Sequence, residues 1–341
     1  MANTPTRITT DIEFGRQGRQ LGHLRLIHSD NRHAFSVIPI PIAVIANGSG
    51  PTILLTAGNH GDEYEGQALL HGLLRGIDIA SIRGRLIVLP ALNYPAVLAA
   101  ARVSPLDDGN LNRAFPGDPD GSPTSAIAHY VETVLLSMVQ GAADIHSGGS
   151  ATVYAPSVYL HCGGGPDLLR RKLAGARAFG APFTVCARAT SDSRSMSAAC
   201  DRLGVPMIST ELAGGGTIDP EALAIGRAGL MRLLVHFGVV DGEPPADHRH
   251  ATRLVSPTGP ASSVMAPTEG IFEPLHGVGA EVRKGALAGY VHPIGELERP
   301  YAAMEFAHDG IVLVKRVPSL VRRGDYLYRL ACEIDEKTLF A

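Results

Sequence analysis

Hydrophobic positions along this chain change period several times, and each change marks an element. Residues 1–35 are polar and glycine-containing, a lead-in without a sustained apolar period. From Ser36 to Ala46 the chain turns almost continuously apolar, which predicts a strand. Pro39 and Pro41 cannot donate to a ladder, so that strand is expected at an edge or as a lead-in. A second run, Thr52 to Ala57, predicts a short buried strand closed by a turn at Gly58. Leu69, Leu70, Leu73 and Leu74 then share one helical face, and Gly76 stops that helix. Residues 85–92 predict another buried strand. Ser122 and Pro123 form an N-cap and first-turn proline, followed by a stripe of Ile127, Val131, Val134, Leu135 and Met138. A strand over 142–146 ends in Ser147-Gly148-Gly149. Helix 167–179, strand 183–187, helix 195–203, strand 206–212 and a helix from Asp219-Pro220 to Phe237 continue the alternation. Such alternation predicts an α/β fold, its mostly parallel (mixed) sheet covered by helices on both faces.

The texture changes at Asp241-Gly-Glu-Pro-Pro-Ala246, a run of turn residues. Beyond it come only short β-like runs between glycines, with a local echo: Val282-Arg-Lys-Gly285 and Val321-Arg-Arg-Gly324 each precede an apolar run. Two domains are therefore expected, 1–243 and an all-β barrel or sandwich over 244–341. With 341 residues, 45% hydrophobic and 18% charged, the chain can bury a large core. A formal net charge of −3 offers no footprint for nucleic acid and no polybasic patch for a membrane. No apolar run approaches the roughly 18–20 residues that span a bilayer, and the first residues lack a signal peptide's apolar stretch. Cys162, Cys186, Cys200 and Cys332 are scattered, without a C-x-x-C pair, as in a reduced cytoplasmic protein.

Candidate chemistry begins just past the strand at 52–57. His60 and Glu63 sit three residues apart at a helix start, where imidazole and carboxylate can turn toward one point. Both suit zinc, which usually takes three protein ligands in a catalytic site and keeps one position open. His146 is the best third ligand, because it ends a strand and opens onto a Ser-Gly-Gly turn. Asp144, on the same side of that strand, can orient an imidazole or cap a neighbouring helix. Glu211 ends another apolar strand before a triple glycine, where an acid is costly to bury unless paired or functional. It suits a general base, with an ion-pair partner as the plainer alternative. Asn112 and Arg113, in a loop bounded by Pro and Gly, suit recognition of a carboxylate.

Four segments then carry a resemblance: G-N-H-G-D-E-Y-E-G at 58–66, N-L-N-R-A-F-P-G at 110–117, D-I-H-S-G-G at 144–149 and T-E-L-A-G-G-G at 210–216. In this order they resemble the succinylglutamate desuccinylase/aspartoacylase family, part of the wider zinc-carboxypeptidase group, and the likeness covers roughly 52–238. The resemblance implies a zinc-carboxypeptidase-like α/β/α sandwich, one zinc on His60, Glu63 and His146, and Glu211 as general base. It also implies that Asn112 and Arg113 grip a substrate carboxylate and that Arg102 polarises the scissile carbonyl. Arg102 lies eleven residues before Arg113, a longer spacing than in aspartoacylase. Within the family, two of these segments are most similar to deacetylases of N-acetyl-2,4-diaminobutyrate, enzymes of ectoine breakdown.

The implied activity is hydrolysis of a small N-acyl amino acid by a zinc-dependent amidohydrolase, with a homo-oligomer compatible. Tyr154, Tyr159, His161, Asp192 and Arg194 are candidates for its side-chain pocket. Three alternatives stand beside it: a carboxypeptidase-type peptidase with the same metal site, a desuccinylase or aspartoacylase for acidic substrates, and a non-catalytic binding module. The last is disfavoured, because every ligand and the base are present. The final region is similar to the β domain of such enzymes and resembles a lipoyl-type barrel. Glu305, however, stands where a biotinyl hairpin offers lysine.

Overall fold

The computed structural model describes residues 6–31, 33–187, 192–245, 251–257, 259, 262–295 and 297–340; Ala246, the end of the expected linker, lies outside them. The lead-in is more ordered than its composition suggests. A short β1 (Ile8–Thr9) pairs with β2 (Gly18–Asp30), which forms a long hairpin with β3 (His33–Asn47). Only Gln20, Leu24 and Leu26 are buried along β2, while Leu21 and Ile27 face out, so its alternation is hidden from the sequence. Pro39 and Pro41 sit opposite Arg25 and His23 of β2. The next strand reaches β3 only from Ala43 onward, so both prolines lie where β3 has an open side.

The central sheet follows. β4 (Thr52–Ala57) leads to α1 (Tyr64–Gly76), and β5 (Gly84–Leu89) to the short α2 (Tyr94–Leu98). α3 (Pro123–Tyr130) continues through a π turn at Val131–Leu135 and a tight turn at Leu136–Met138 into β6 (Gly141–His146). Ser122 holds the N-cap position without a side-chain capping bond. Asp107, reaching in from a preceding loop, accepts from the Thr124 N–H and hydroxyl instead, both at 2.8 Å. β7 (Thr152–His161) precedes α4 (Pro166–Phe179), β8 (Phe183–Ala187), α5 (Met196–Arg202), β9 (Met207–Gly214) and α6 (Pro220–His236).

All six residues of β4 are buried, and the run splits by parity. Ile53 and Leu55 join a core with Leu69, Leu173 and Leu233 of α1, α4 and α6. Leu54 joins the opposite core with Ile127, Leu135 and Ala199, below α3 and α5. A strand covered on both faces reads as an unbroken apolar run, which is why this one was legible.

Among the described residues one sheet of 14 strands has the order β1-β2-β3-β5-β4-β6-β9-β7-β8, then continues into the chain's last third. That third contributes β10 (Arg253–Ser256), β11 (Ser263–Met265), β12 (Gly270–Pro274), β13 (Glu281–Val282), β14 (Leu287–His292), β15 (Ala302–Glu305), β16 (Gly310–Arg316), β17 (Leu320–Val321) and β18 (Tyr326–Glu333). β10 lies parallel to β8, and β18, β16 and β13 extend the sheet beyond it. A separate four-stranded sheet, β15-β14-β12-β17, packs over a core of Phe272, Phe306 and Tyr328. Parallel joins link β5, β4, β6 and β9, while β7 runs antiparallel to β9, so the sheet is mixed. β16 also pairs with β7, Val314 opposite Tyr154, tying the C-terminal strands to the strand that walls the site.

Candidate active site

β4, β6 and β9 are parallel neighbours, so their carboxyl ends open on one edge of the sheet, where open α/β sheets hold ligands. His60 and Glu63 occupy the turn between β4 and α1, His146 is the last residue of β6, and Glu211 on β9 pairs with it in register. Gly61 locks that turn in place. Its N–H donates to the Ala101 carbonyl at 2.8 Å, and a Cβ there would stand 2.0 Å from the backbone of Ala96. Backbone has no slack to offer, so Gly61→Ala should destabilise by about 1–3 kcal/mol or more. Chemical denaturation of the two proteins side by side measures this; equal midpoints would deny the close approach any role.

The two imidazoles clasp one carboxylate. Glu63 Oε1 lies 2.6 Å from His60 Nδ1, and Oε2 lies 2.7 Å from His146 Nδ1. The far nitrogens are also engaged: His146 Nε2 meets Asp144 Oδ2 at 2.8 Å, and His60 Nε2 meets Asn110 Oδ1 at 3.2 Å. Asp144 is itself held by the Thr56 hydroxyl at 2.8 Å and the Asn59 amide at 3.0 Å. Of its two sequence readings, the structure has Asp144 orienting an imidazole.

His60, Glu63 and His146 are all buried, and one ligand atom from each lies within 4.8 Å of the others. Two nitrogens and a carboxylate suit zinc, and each ring's outer nitrogen donates to a fixed acceptor, leaving Nδ1 for a cation. These residues fit the metal. Burial pushes the Glu63 carboxyl upward, but the charges and hydrogen bonds of His146 and His60 outweigh it and hold it well below its ordinary range. Burial pulls His146 down, yet Asp144 and Glu63 together raise it well above the ordinary histidine value.

Glu211 is the counterpart. Burial first, and then the Glu63 charge, push its carboxyl well above the ordinary range. Its Oε2 is buried with no hydrogen-bond partner among the described residues. Arg102 reaches the cluster from outside, Nη1 3.4 Å from Glu63 Oε1 and 3.3 Å from His60 Nδ1, with half its side chain exposed. Asn112 accepts the Met196 N–H at 3.0 Å, which fixes its amide and turns the NH2 end free of that bond. Arg113 pairs through Nε with Asp192 at 3.0 Å, and Arg194 grips the same carboxylate at 2.8 and 2.9 Å.

A cavity of about 250 Å³ joins these groups; all seven predicted residues, His60, Glu63, Arg102, Asn112, Arg113, His146 and Glu211, line it. Of the side-chain candidates, Tyr154, Tyr159 and His161 on β7 also line it. Asp192 and Arg194 do not; they stand behind Arg113 as its ion-pair network. Tyr154 and Tyr159 pack edge to face at 6.0 Å, and burial pushes both phenols up, so each enters the cavity as a neutral donor.

The family model described as "Succinylglutamate desuccinylase/Aspartoacylase catalytic domain" matches residues 49–237, more than half of the chain. This chain belongs to that family. A relative from Halomonas elongata, named N-alpha-acetyl-L-2,4-diaminobutyric acid deacetylase, is 37% identical over 327 residues, covering 96% of this chain and 95% of its own. The product-bound ectoine utilization protein EutE (DoeB) from Ruegeria pomeroyi superposes with a TM-score of 0.92 at 36% identity, covering 96% of this chain and 99% of that one. A succinylglutamate desuccinylase/aspartoacylase from Rhodobacter sphaeroides gives 0.91 at 38% identity, covering 96% and 100%. The mixed α/β fold is thus that of desuccinylase/aspartoacylase structures.

Sequence reasoning missed the supporting residues of this family site. Asn59 and Asn110 flank the ligands, and Thr56 ends an apolar strand, so each reads as ordinary turn or ladder chemistry. Asp62 was visible in the same segment but silent: it accepts from the Ser150 N–H and hydroxyl, both at 2.8 Å, and so pins the turn after His146.

Proposed function

We propose that this family member is a zinc-dependent amidohydrolase that removes the acyl group from a small N-acyl amino acid. His60, Glu63 and His146 would hold one zinc ion. Bound there, zinc supplies a Lewis acid that polarises the amide carbonyl and acidifies water. Glu211 takes a proton from the attacking water and delivers it to the departing amine as the carbon–nitrogen bond breaks. Arg102 donates to the carbonyl oxygen as negative charge gathers there. Arg113 and the Asn112 amide receive the substrate carboxylate, with Asp192 holding the guanidinium in place.

The observation that carries this reading is the buried, partnerless Glu211 Oε2 in the same cavity as the three-ligand cluster. A buried acid without a partner is costly, and a water poised for deprotonation satisfies it. A volume of about 250 Å³ lies below that of drug-sized pockets and suits a small substrate better than a peptide. The name of the Halomonas relative supports an acetyl group and a short amine-bearing side chain. We take the enzyme to work in the cytoplasm, and residues 244–341 to act as a second, β unit.

The test compares kcat/KM for N-α-acetyl-2,4-diaminobutyrate, N-acetylaspartate, N-succinylglutamate and a short peptide, with metal analysis of the purified protein. The first should be hydrolysed fastest, with one zinc per chain. Preference for an acidic substrate would overturn the side-chain assignment, and preference for the peptide would overturn the deacylase reading.

A further inference from the structure

One polar cluster beside the cavity has no part in the chemistry above. His161, the last residue of β7, places Nδ1 2.5 Å from Asp201 Oδ2 on α5. The other carboxylate oxygen, Oδ1, accepts from Lys172 Nζ of α4 at 2.7 Å. Lys172 is 1% exposed, and its ammonium also donates to the carbonyls of His161 and Gly163, at 2.5 and 3.0 Å. Three acceptors use all three of its donors, the condition under which a buried ammonium is tolerable. Gly163 closes the cluster: a Cβ there would stand 2.5 Å from Asp201 Oδ2 and 3.1 Å from the His161 ring.

This arrangement dictates what His161 shows the cavity. A carboxylate only accepts, so Nδ1 carries the hydrogen, and in the neutral imidazole Nε2 is a bare acceptor. Nε2 is buried with no partner among the described residues, and His161 lines the cavity. An acceptor left this way costs free energy unless a ligand supplies a donor. The acidic candidate from the sequence, Asp192, is already spent on Arg113 and Arg194. Glu63 and Glu211 face the reaction centre.

We propose that His161 Nε2 accepts a hydrogen bond from the protonated side-chain amine of the substrate and sets specificity for it. Asp201 and Lys172 are positioning residues that fix the ring and its tautomer. The assignment rests on the deacylase reading and names the side-chain subsite of the same cavity.

N-α-acetyl-2,4-diaminobutyrate and N-acetylnorvaline, which carries a methyl where the first has an ammonium, separate the two levels. Wild type should prefer the amine. His161→Phe should lower the ratio of kcat/KM for the amine substrate to that for N-acetylnorvaline about 10- to 100-fold, mainly through the KM of the amine substrate. His161→Gln, which retains an acceptor oxygen, should recover part of the preference. Asp201→Asn, which also lets the ring take the other tautomer, should lower the amine-to-norvaline ratio without abolishing turnover. Turnover of N-acetylnorvaline reports that each variant is folded and metal-loaded. An unchanged ratio in His161→Phe, or equal loss on both substrates, overturns the subsite alone. A wild type that hydrolyses neither substrate overturns the deacylase reading and the subsite with it.

Discussion

His146→Ala should yield a folded protein that neither retains zinc nor turns over substrate. The side chain ends β6 and touches carboxylates on both sides, Glu63 at 2.7 Å and Asp144 at 2.8 Å. Removing it takes away one of three proposed ligands and leaves His60 as the one imidazole on Glu63 among the described residues. Three protein ligands are the usual minimum for catalytic zinc, so affinity should collapse rather than decline. The fold should survive, because the two cores that flank the central sheet are built from aliphatic residues of β4, β5, β6 and the helices. Asp144 keeps its bonds to Thr56 and Asn59, so the truncation should cost only about 1–3 kcal/mol. Metal content by emission spectrometry, turnover and circular dichroism read the three outcomes separately. Stoichiometric zinc with full turnover would remove His146 from the ligand set.

What was legible in the sequence follows the range of the forces involved. β4 and β6 announce themselves because both faces are covered and, Thr52 aside, their side chains are apolar or near the site. The helices announce themselves through caps and stops, as when Asp219 accepts from the Ala222 N–H at 2.8 Å. β7 stayed hidden because Pro156 interrupts it, and the pairing with β9 does shift register between Tyr154 and Ser157. The union of the last third with the main sheet was not visible either. The pairing of β10 with β8, and of β16 with β7, joins segments far apart in sequence, and no local period reports a partner at that distance.

The site divides in the same way. The proposed ligands and base stand at or just beyond apolar runs, where a polar residue is conspicuous. The residues that orient them are small amides and hydroxyls whose meaning appears only once the strands are side by side. Asp192 shows the opposite case: named among the side-chain-pocket candidates, it is held instead by two neighbouring arginines.

Glu211→Gln and Arg113→Ala should damage the enzyme in different ways. Glu211 is half-buried beside the cluster, pairs with His146 across the sheet and has one buried oxygen without a partner among the described residues. Glutamine keeps the shape but cannot take a proton, so the loss falls on the chemical step: kcat should drop about 100-fold or more. Zinc should remain, because the proposed ligand atoms belong to His60, Glu63 and His146. Arg113 is two-fifths exposed in the cavity lining, pairs with Asp192 and donates to the Asn112 carbonyl. Alanine there removes a charge-assisted clamp on the carboxylate, a contact made before and during the reaction alike. Its cost, about 1.5–3 kcal/mol, should therefore appear mainly in KM. Asp192 keeps its bonds to Arg194, so the loop should hold its shape in the variant. Steady-state kinetics on one substrate, with zinc content measured for both variants, decides the matter. If both substitutions lowered kcat alike and left KM alone, the division of labour between base and clamp would be refuted.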